Sequence, residues 1–246
     1  MAGRRRLDAE LVRRGLSASP QQAQEAIDSG RVLVGGAPAA KAARLVDPGE
    51  AVTLVGPPPR WVSRGGGKLD AALDAFGIDV TGTDALDAGA STGGFTDCLL
   101  QRGATSVVAV DVGQGLLHER VRSDPRVTSL ERTNVRNLDL GRRFGIVVAD
   151  LSFISLRTVA PALLAHAAAD LVLLVKPQFE AGRAEASKGK GVIRDPAVRA
   201  RVLSEVVGAF VGAGATMMGV MASPVIGADG NVELLVHLRV EGPTGD

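Results

Sequence analysis

Apolar residues at positions 7, 11, 12 and 16 fall on one side of a helix, and Arg5, Arg6, Arg13 and Arg14 fall on the other. Ser19-Pro20 supplies an N-cap and a proline at the first helical position, so a second helix runs through Ile27 until Gly30 closes it. Arg31-Val-Leu-Val, a Gly35-Gly36 turn and Ala51-Val-Thr-Leu-Val then read as short strands. Gly56-Pro57-Pro58-Pro59 breaks the pattern with a stiff, non-helical linker. Beyond it the period alternates. Strands are predicted over 85–88, 106–111, 146–150, 171–175, 216–221 and 232–240, and helices over 69–76, 96–102, 158–169 and 196–210. Strands separated by helices predict a mostly parallel sheet covered on both faces. The chain therefore divides into a small α+β module over residues 1–56, a linker over 57–64 and an α/β domain over 65–246.

Composition sharpens this division. Of 246 residues, 46% are apolar, which suits a globular chain and excludes a disordered one. Residues 1–68 hold eleven Lys/Arg against six Asp/Glu, whereas the remainder holds 17 against 21. A basic module on a mildly acidic domain suggests a polyanionic partner, beside the plainer reading of a solvated arginine-rich surface. One cysteine, Cys98, rules out an internal disulfide and suits buried packing in a helix; it is compatible with the cytoplasm. His118, His166 and His237 are scattered, so no metal is expected. No signal-peptide pattern opens the chain. The uncharged stretch 206–228 is long enough to cross a bilayer, but glycines and Pro224 break it into a helix end, a turn and a buried strand. Ser187-Lys-Gly-Lys-Gly reads as a mobile loop.

ALDAGASTGGFTD, residues 85–97, places three glycines directly after a strand. Asp111 lies 22 residues beyond Gly89, where an acid closing the second strand of a βαβ unit accepts hydrogen bonds from ribose hydroxyls. The spacing Gly89-x-x-x-Gly93-Gly94 is not the pyrophosphate fingerprint. It suits S-adenosylmethionine, which has no pyrophosphate and whose methionine end must approach the turn, while NAD stays open as the alternative. Asp87 and Ser91 are candidates to hold the amino-acid end.

Asp150 and Lys176 each end an apolar strand, and carboxyl ends of parallel strands share one ligand-binding edge. Lys68 opens a helix that feeds the first strand, so it returns to that edge. Glu233 joins them if the last strand is antiparallel. Such a set can activate a ribose 2′-hydroxyl. Lys176 is the candidate base, since apolar walls and a neighbouring cation push a lysine towards its neutral form. Lys68 supplies the like charge and stabilises oxyanion character, Asp150 orients Lys176, and Glu233 holds Lys68 and the target ribose.

LDAELVRRGLSASPQQAQEAIDSGRVLVGG resembles the αL-type RNA-binding domain of a small-subunit ribosomal protein and many pseudouridine synthases, with Gly35 where Asn or Asp is common. That resemblance implies phosphate contacts from Arg4, Arg5, Arg6, Arg13, Arg14 and Arg31. ALDAGASTGGFTD, VVAVDVGQG, LERTNVRNL, VVADLSFISL, LVKPQFE and GNVE resemble the TlyA-type ribosomal RNA 2′-O-methyltransferases, also known as hemolysins. The resemblance implies an FtsJ-like Rossmann methyltransferase fold, S-adenosylmethionine as donor, and a cytidine ribose of 23S rRNA as target on ribosomal subunits. It implies the tetrad Lys68, Asp150, Lys176 and Glu233. It implies donor contacts from Asp87, Gly89, Ala90, Ser91, Thr92, Gly93, Gly94, Phe95, Asp111, Asn134 and Asp150. It also implies that Arg60, Trp61, Val62 and Ser63 couple RNA binding to donor binding. Two departures stand out. The sequence stops at Asp246, without the extension that the resemblance links to a second target in 16S rRNA. His118-Glu119-Arg120 replaces an apolar or aromatic stretch. A non-catalytic ribosome-binding factor and a pore-forming hemolysin are the competing function classes.

Overall fold

The computed structural model describes residues 3–17, 19–57, 59–189, 191–227 and 230–241. It divides into two compact units, Met1–Ser63 and Arg64–Asp246.

In the first unit, β1 (Arg5–Arg6) leads into α1 (Leu7–Arg13), and α2 (Pro20–Asp28) follows. Ser19 caps α2, its hydroxyl accepting the Gln22 amide at 3.2 Å, with Pro20 at the first helical position as the sequence requires. β2 (Val32–Val34) and β3 (Ala37–Pro38) form a hairpin, and β5 (Val52–Leu54) pairs with β2. Gly35 and Gly36 have φ of 61° and 82°, the left-handed pair that a two-residue hairpin turn needs. β4 (Leu45–Val46) pairs with β1 in a ribbon too short to announce itself by alternation. Leu7, Leu11, Ala23, Ile27, Val32, Val34 and Val46 form the core, and Val12 and Leu16 pack at its margin.

The second unit opens with α3 (Arg64–Phe76), longer than the predicted helix because it incorporates Gly65, Gly66 and Gly67. Then come β6 (Asp84–Ala88), α4 (Gly94–Gln101), β7 (Ser106–Val110), α5 (Glu119–Arg122), β8 (Val127–Leu130), β9 (Phe144–Ala149), α6 (Leu156–His166) and β10 (Ala167–Val175). The chain continues through α7 (Pro177–Glu180), α8 (Arg183–Lys188), α9 (Pro196–Val211), β11 (Ala215–Ala222) and β12 (Leu234–Val240). The strands form one sheet in the order β11-β12-β10-β9-β6-β7-β8. β12 runs antiparallel to both its neighbours and the other pairings are parallel. This is the mostly parallel sheet with a reversed last strand expected of a Rossmann-like methyltransferase fold.

Alternate strand residues point to opposite faces. Leu86, Val147, Leu171, Leu173 and Val236 share a buried cluster with α6 and α9. Asp87, one residue out of step with Leu86, faces α4 instead, where Thr96 meets it. Strand order reverses between β6 and β9, and that switch point is where a doubly wound sheet opens a crevice for ligands.

Three local expectations need correction. Helix α6 stops at His166 rather than Ala169, although His-Ala-Ala-Ala favours helix, because Ala167 pairs with Phe144 and Asp170 with Ile146 in the sheet. Strand β8 escapes the sequence because it is an edge strand with little buried apolar surface. Part of the supposed loop around Ser187 is α8; Lys190, within the same stretch, lies outside the described residues.

Candidate active site

The glycine loop joins β6 to α4. Gly89 has φ of 85°, and a Cβ there would lie 2.6 Å from the Asp150 carbonyl oxygen, so only glycine lets β9 approach. Its amide donates to the Val110 carbonyl at 2.8 Å, which ties the loop to β7. Ser91 is held at φ of 48°, unusual for a residue with a side chain. Its amide donates to Asp111 Oδ2 at 2.8 Å, while Asp111 Oδ1 accepts the Gly113 amide at 2.7 Å. One carboxylate thus spans two loops and keeps lone pairs for a ligand. Gly93, at φ of 90°, caps α4, and Gly94 and Phe95 open that helix with Phe95 buried. Thr92 presents its carbonyl to the His118 amide at 3.1 Å. A cleft lies beside this loop, lined by Ala90, Ser91, Asp111, Gly113, Leu116 and Glu131. Asn134 is not in that lining. It caps a 3-10 turn, its side chain accepting the Arg136 amide at 3.0 Å, one residue after Thr133 bonds the Asp111 backbone.

Asp87 sits under the loop, fully buried. Thr96 Oγ1 donates to its Oδ2 at 2.6 Å, and Oδ1 has no partner among the described residues. Burial pushes this carboxyl up to about 7, against the Thr96 hydrogen bond and with a smaller push from Asp150. That oxygen is available to a hydrogen-bond donor of a ligand.

At the carboxyl edge, the four charged residues resolve into two ion pairs. Lys176 Nζ lies 2.5 Å from Asp150 Oδ1 and donates to Ser152 Oγ at 3.0 Å. Lys68 Nζ lies 2.5 Å from Glu233 Oε2, and both side chains are buried. Register explains the gathering. Val175 pairs with Leu234, so Lys176 and Glu233 leave adjacent strands side by side, and Leu173 pairs with Ala149, so Asp150 leaves the next strand two residues earlier at the same edge. Lys68 reaches Glu233 from the second turn of α3 rather than from its first residue. Glu233 thus holds Lys68. Asp150 joins this cluster to the glycine loop, since its amide donates to the Ala88 carbonyl at 3.0 Å.

Four participants escaped the sequence reading. Ser152 holds Lys176. Phe153 is 90% exposed at φ of 64°, its ring 5.0 Å from that of Phe179. Glu131 lines the cleft and accepts the Gly115 amide at 2.8 Å. Ser152, Phe153, Phe179 and Glu131 all stand inside the motifs VVADLSFISL, LVKPQFE and LERTNVRNL, which is the sequence signal they carry. Among the described residues, no group of His, Cys, Asp and Glu is arranged to hold a metal ion, and no helix is long and apolar enough to cross a membrane. Cys98 is buried in α4.

In the first unit the six candidate arginines differ. Arg4 pairs with Asp47 at 3.1 Å, Arg6 with Asp8 at 2.5 Å and Arg13 with Glu10 at 2.6 Å, each about half exposed or more. Arg14 turns inward, bonding Glu10 and the carbonyls of Glu50, Pro48 and Asp47. Arg5 is exposed, and Arg31 donates to the Val55 carbonyl at 3.3 Å. Of the linker residues, Arg60 stacks its guanidinium 4.0 Å above Trp61, Val62 is buried and Ser63 is partly buried.

Comparison with known proteins places both units in known families. The S4 domain model matches residues 5–52, and the FtsJ-like methyltransferase model matches residues 61–240. The chain is 53% identical to the 16S/23S rRNA (cytidine-2′-O)-methyltransferase TlyA of Mycobacterium tuberculosis, over 98% of this chain and 92% of that one. It is 38% identical to Hemolysin A of Brachyspira hyodysenteriae, over 96% of this chain and all of the other. A solved structure described as a hemolysin from Streptococcus thermophilus superposes with a TM-score of 0.76 at 36% identity, over 99% and 92% of the two chains. The chain belongs to the FtsJ-like methyltransferase family, with an S4 domain ahead of the methyltransferase fold.

Proposed function

We propose that the protein transfers a methyl group from S-adenosylmethionine to the 2′-hydroxyl of a cytidine ribose in ribosomal RNA, in the cytoplasm. The observation that carries this reading is the pair of ion pairs, Lys176–Asp150 and Lys68–Glu233, gathered at one sheet edge beside the glycine loop. The residues fit the donor. Asp87 offers an unpaired buried oxygen to an ammonium, and Asp111 and Glu131 offer carboxylates to ribose hydroxyls beside the cleft. S-adenosylmethionine, when bound, supplies an electrophilic methyl group.

The protein's own work is to place and deprotonate the acceptor. Lys176 acts as the neutral amine, its N–H groups directed to Asp150 and Ser152 and its lone pair taking the hydroxyl proton. Lys68, held by Glu233, faces the oxygen as it gains negative charge. The cleft residues would hold the donor while the sheet-edge residues hold the acceptor hydroxyl beside it, and such placement would supply much of the rate. Phe153 offers an exposed ring face on which a base can stack. The basic module of residues 1–56 holds RNA phosphates through Arg4, Arg5, Arg6, Arg13 and Arg31, with the linker 57–64 joining it to the methyltransferase domain. Arg14 does different work, bracing the 47–50 turn.

The relative at 53% identity is named for cytidine 2′-O-methylation of 16S and 23S rRNA, which supports ribosomal RNA as the substrate class. Mass mapping of ribose methylation on both rRNAs, after incubating subunits with the protein and donor, tests this. A new 2′-O-methylcytidine is expected with the native chain and none with Lys176→Ala, whose circular dichroism stays native. Full methylation by that variant would remove Lys176 as the base.

A further inference from the structure

His118-Glu119-Arg120 stands where the family resemblance leads to apolar or aromatic residues, and the reaction above leaves it without a task. The structure ties it to the glycine loop. The His118 amide donates to the Thr92 carbonyl at 3.1 Å, and His118 Nδ1 accepts the Arg120 amide at 3.1 Å. The Arg120 guanidinium reaches Asp97 Oδ2 at 2.5 Å. Asp97 is buried in the first turn of α4, and its other oxygen accepts from Gln101 at 3.0 Å. Leu117 and Val121 close on Gly93, where a Cβ would lie 3.0 and 3.1 Å from them. On the opposite side the Gly115 amide bonds Glu131 at 2.8 Å, and the Arg132 amide bonds the Gly113 carbonyl at 3.0 Å. Residues 113–121 therefore form a strap along the cleft, fastened at both margins, with Leu116 and Leu117 in the lining.

We propose that Arg120 is a positioning residue for donor binding: its pair with Asp97 fastens the strap to α4 and holds residues 89–94 in the form that receives S-adenosylmethionine. The inference rests on the donor reading above. Arg120 acts through α4 and the strap and need not touch the donor. Its own side chain is half exposed, but that of Asp97 is 6% exposed. Removing the guanidinium takes a cation from beside a buried carboxylate, which matters more than losing a pair in open solvent.

The test uses the full chain as Arg120→Ala, Arg120→Lys, Asp97→Asn and the double variant Arg120→Ala/Asp97→Asn. Calorimetry with S-adenosylmethionine gives Kd, stopped flow gives the dissociation rate, and hydrogen exchange without ligand reads the amides of residues 91–95. Arg120→Ala is expected to weaken binding about fivefold, through faster dissociation. It is expected to speed exchange at residues 91–95 while β9 and β10 stay protected. Arg120→Lys should recover part of the loss. The double variant should be no weaker than the worse single one, because the two side chains act as one pair. Native affinity in Arg120→Ala, or exchange that rises equally across the whole domain, overturns the proposal. Failure of the native chain to bind the donor would instead overturn the donor reading itself.

Discussion

Asp87 should make donor binding depend on proton concentration near neutrality. It is fully buried, Thr96 satisfies one oxygen, and burial raises its carboxyl to about 7. Only the ionised form can pair with the ammonium of a bound methionine end. The apparent Kd is the intrinsic value divided by the ionised fraction, so binding weakens about tenfold at pH 6 and about a hundredfold at pH 5, and levels off above pH 8. Binding at pH 6 must release close to one proton, which calorimetry in buffers of different ionisation enthalpy measures directly. Thr96→Val removes a hydrogen bond that favours the carboxylate, so its pH profile moves upward. Asp87→Asn should bind weakly with a flat profile. The ligand-free fold responds in the opposite sense. A folded pKa above the unfolded 3.8 gives a contribution that is fully present below about pH 4 and lost as pH rises through 7. Three units correspond to about 4 kcal/mol as an upper bound. Asp87→Asn without ligand should therefore melt higher than the native chain at pH 8, with the gap closing towards pH 4. A donor Kd constant from pH 5.5 to 7.5 in the native chain, with circular dichroism unchanged, would refute the reasoning.

Gly89→Ala forces a positive φ on a residue with a Cβ and drives that Cβ to 2.6 Å from the Asp150 carbonyl oxygen. Urea unfolding should show a loss of about 1–3 kcal/mol, with donor affinity falling further than stability alone explains. Arg102 donates to Asp70 at 2.8 Å and to Asp74 at 2.7 Å, clamping α4 to α3 two residues from Lys68. Arg102→Ala should cost about 1–3 kcal/mol by the same unfolding assay, and Arg102→Lys less. In the first unit, Arg13 and Arg14 hold the Glu10 carboxyl down to about 2. Its folded pKa lies below the unfolded value, so the contribution is present above about pH 4.5 and lost as pH falls through 2. Glu10→Gln should accelerate amide exchange in α1 at pH 7, with the difference from the native chain shrinking on acidification.

Much of this protein was legible from one dimension because its signals are local. The Ser19-Pro20 cap, the Gly35-Gly36 turn and the glycine spacing after β6 each depend on backbone conformations that few residue types permit. The apolar strands ending in Asp150 and Lys176 placed both residues on one edge, because parallel strands all point the same way. Fold class and the order of the two units followed from such patterns, and the family from the resemblance of the quoted motifs.

The sequence could not determine how those charges divide. Composition counts two amines and two carboxylates, but only the register of β9, β10 and β12 decides that Lys176 meets Asp150 while Lys68 crosses to Glu233. The same holds for helix α6, whose alanines favour continuation until the pairing of Ala167 with Phe144 ends it. It holds for Arg14, which shares a helix face with solvent-directed arginines in sequence and yet braces a turn. It holds for Asp87, whose unpaired oxygen exists because the Thr96 side of α4 closes over it. Propensity and periodicity are properties of neighbours along the chain. Ion pairing and burial depend on residues brought together from far apart, and here Lys68 and Glu233 meet across 165 positions.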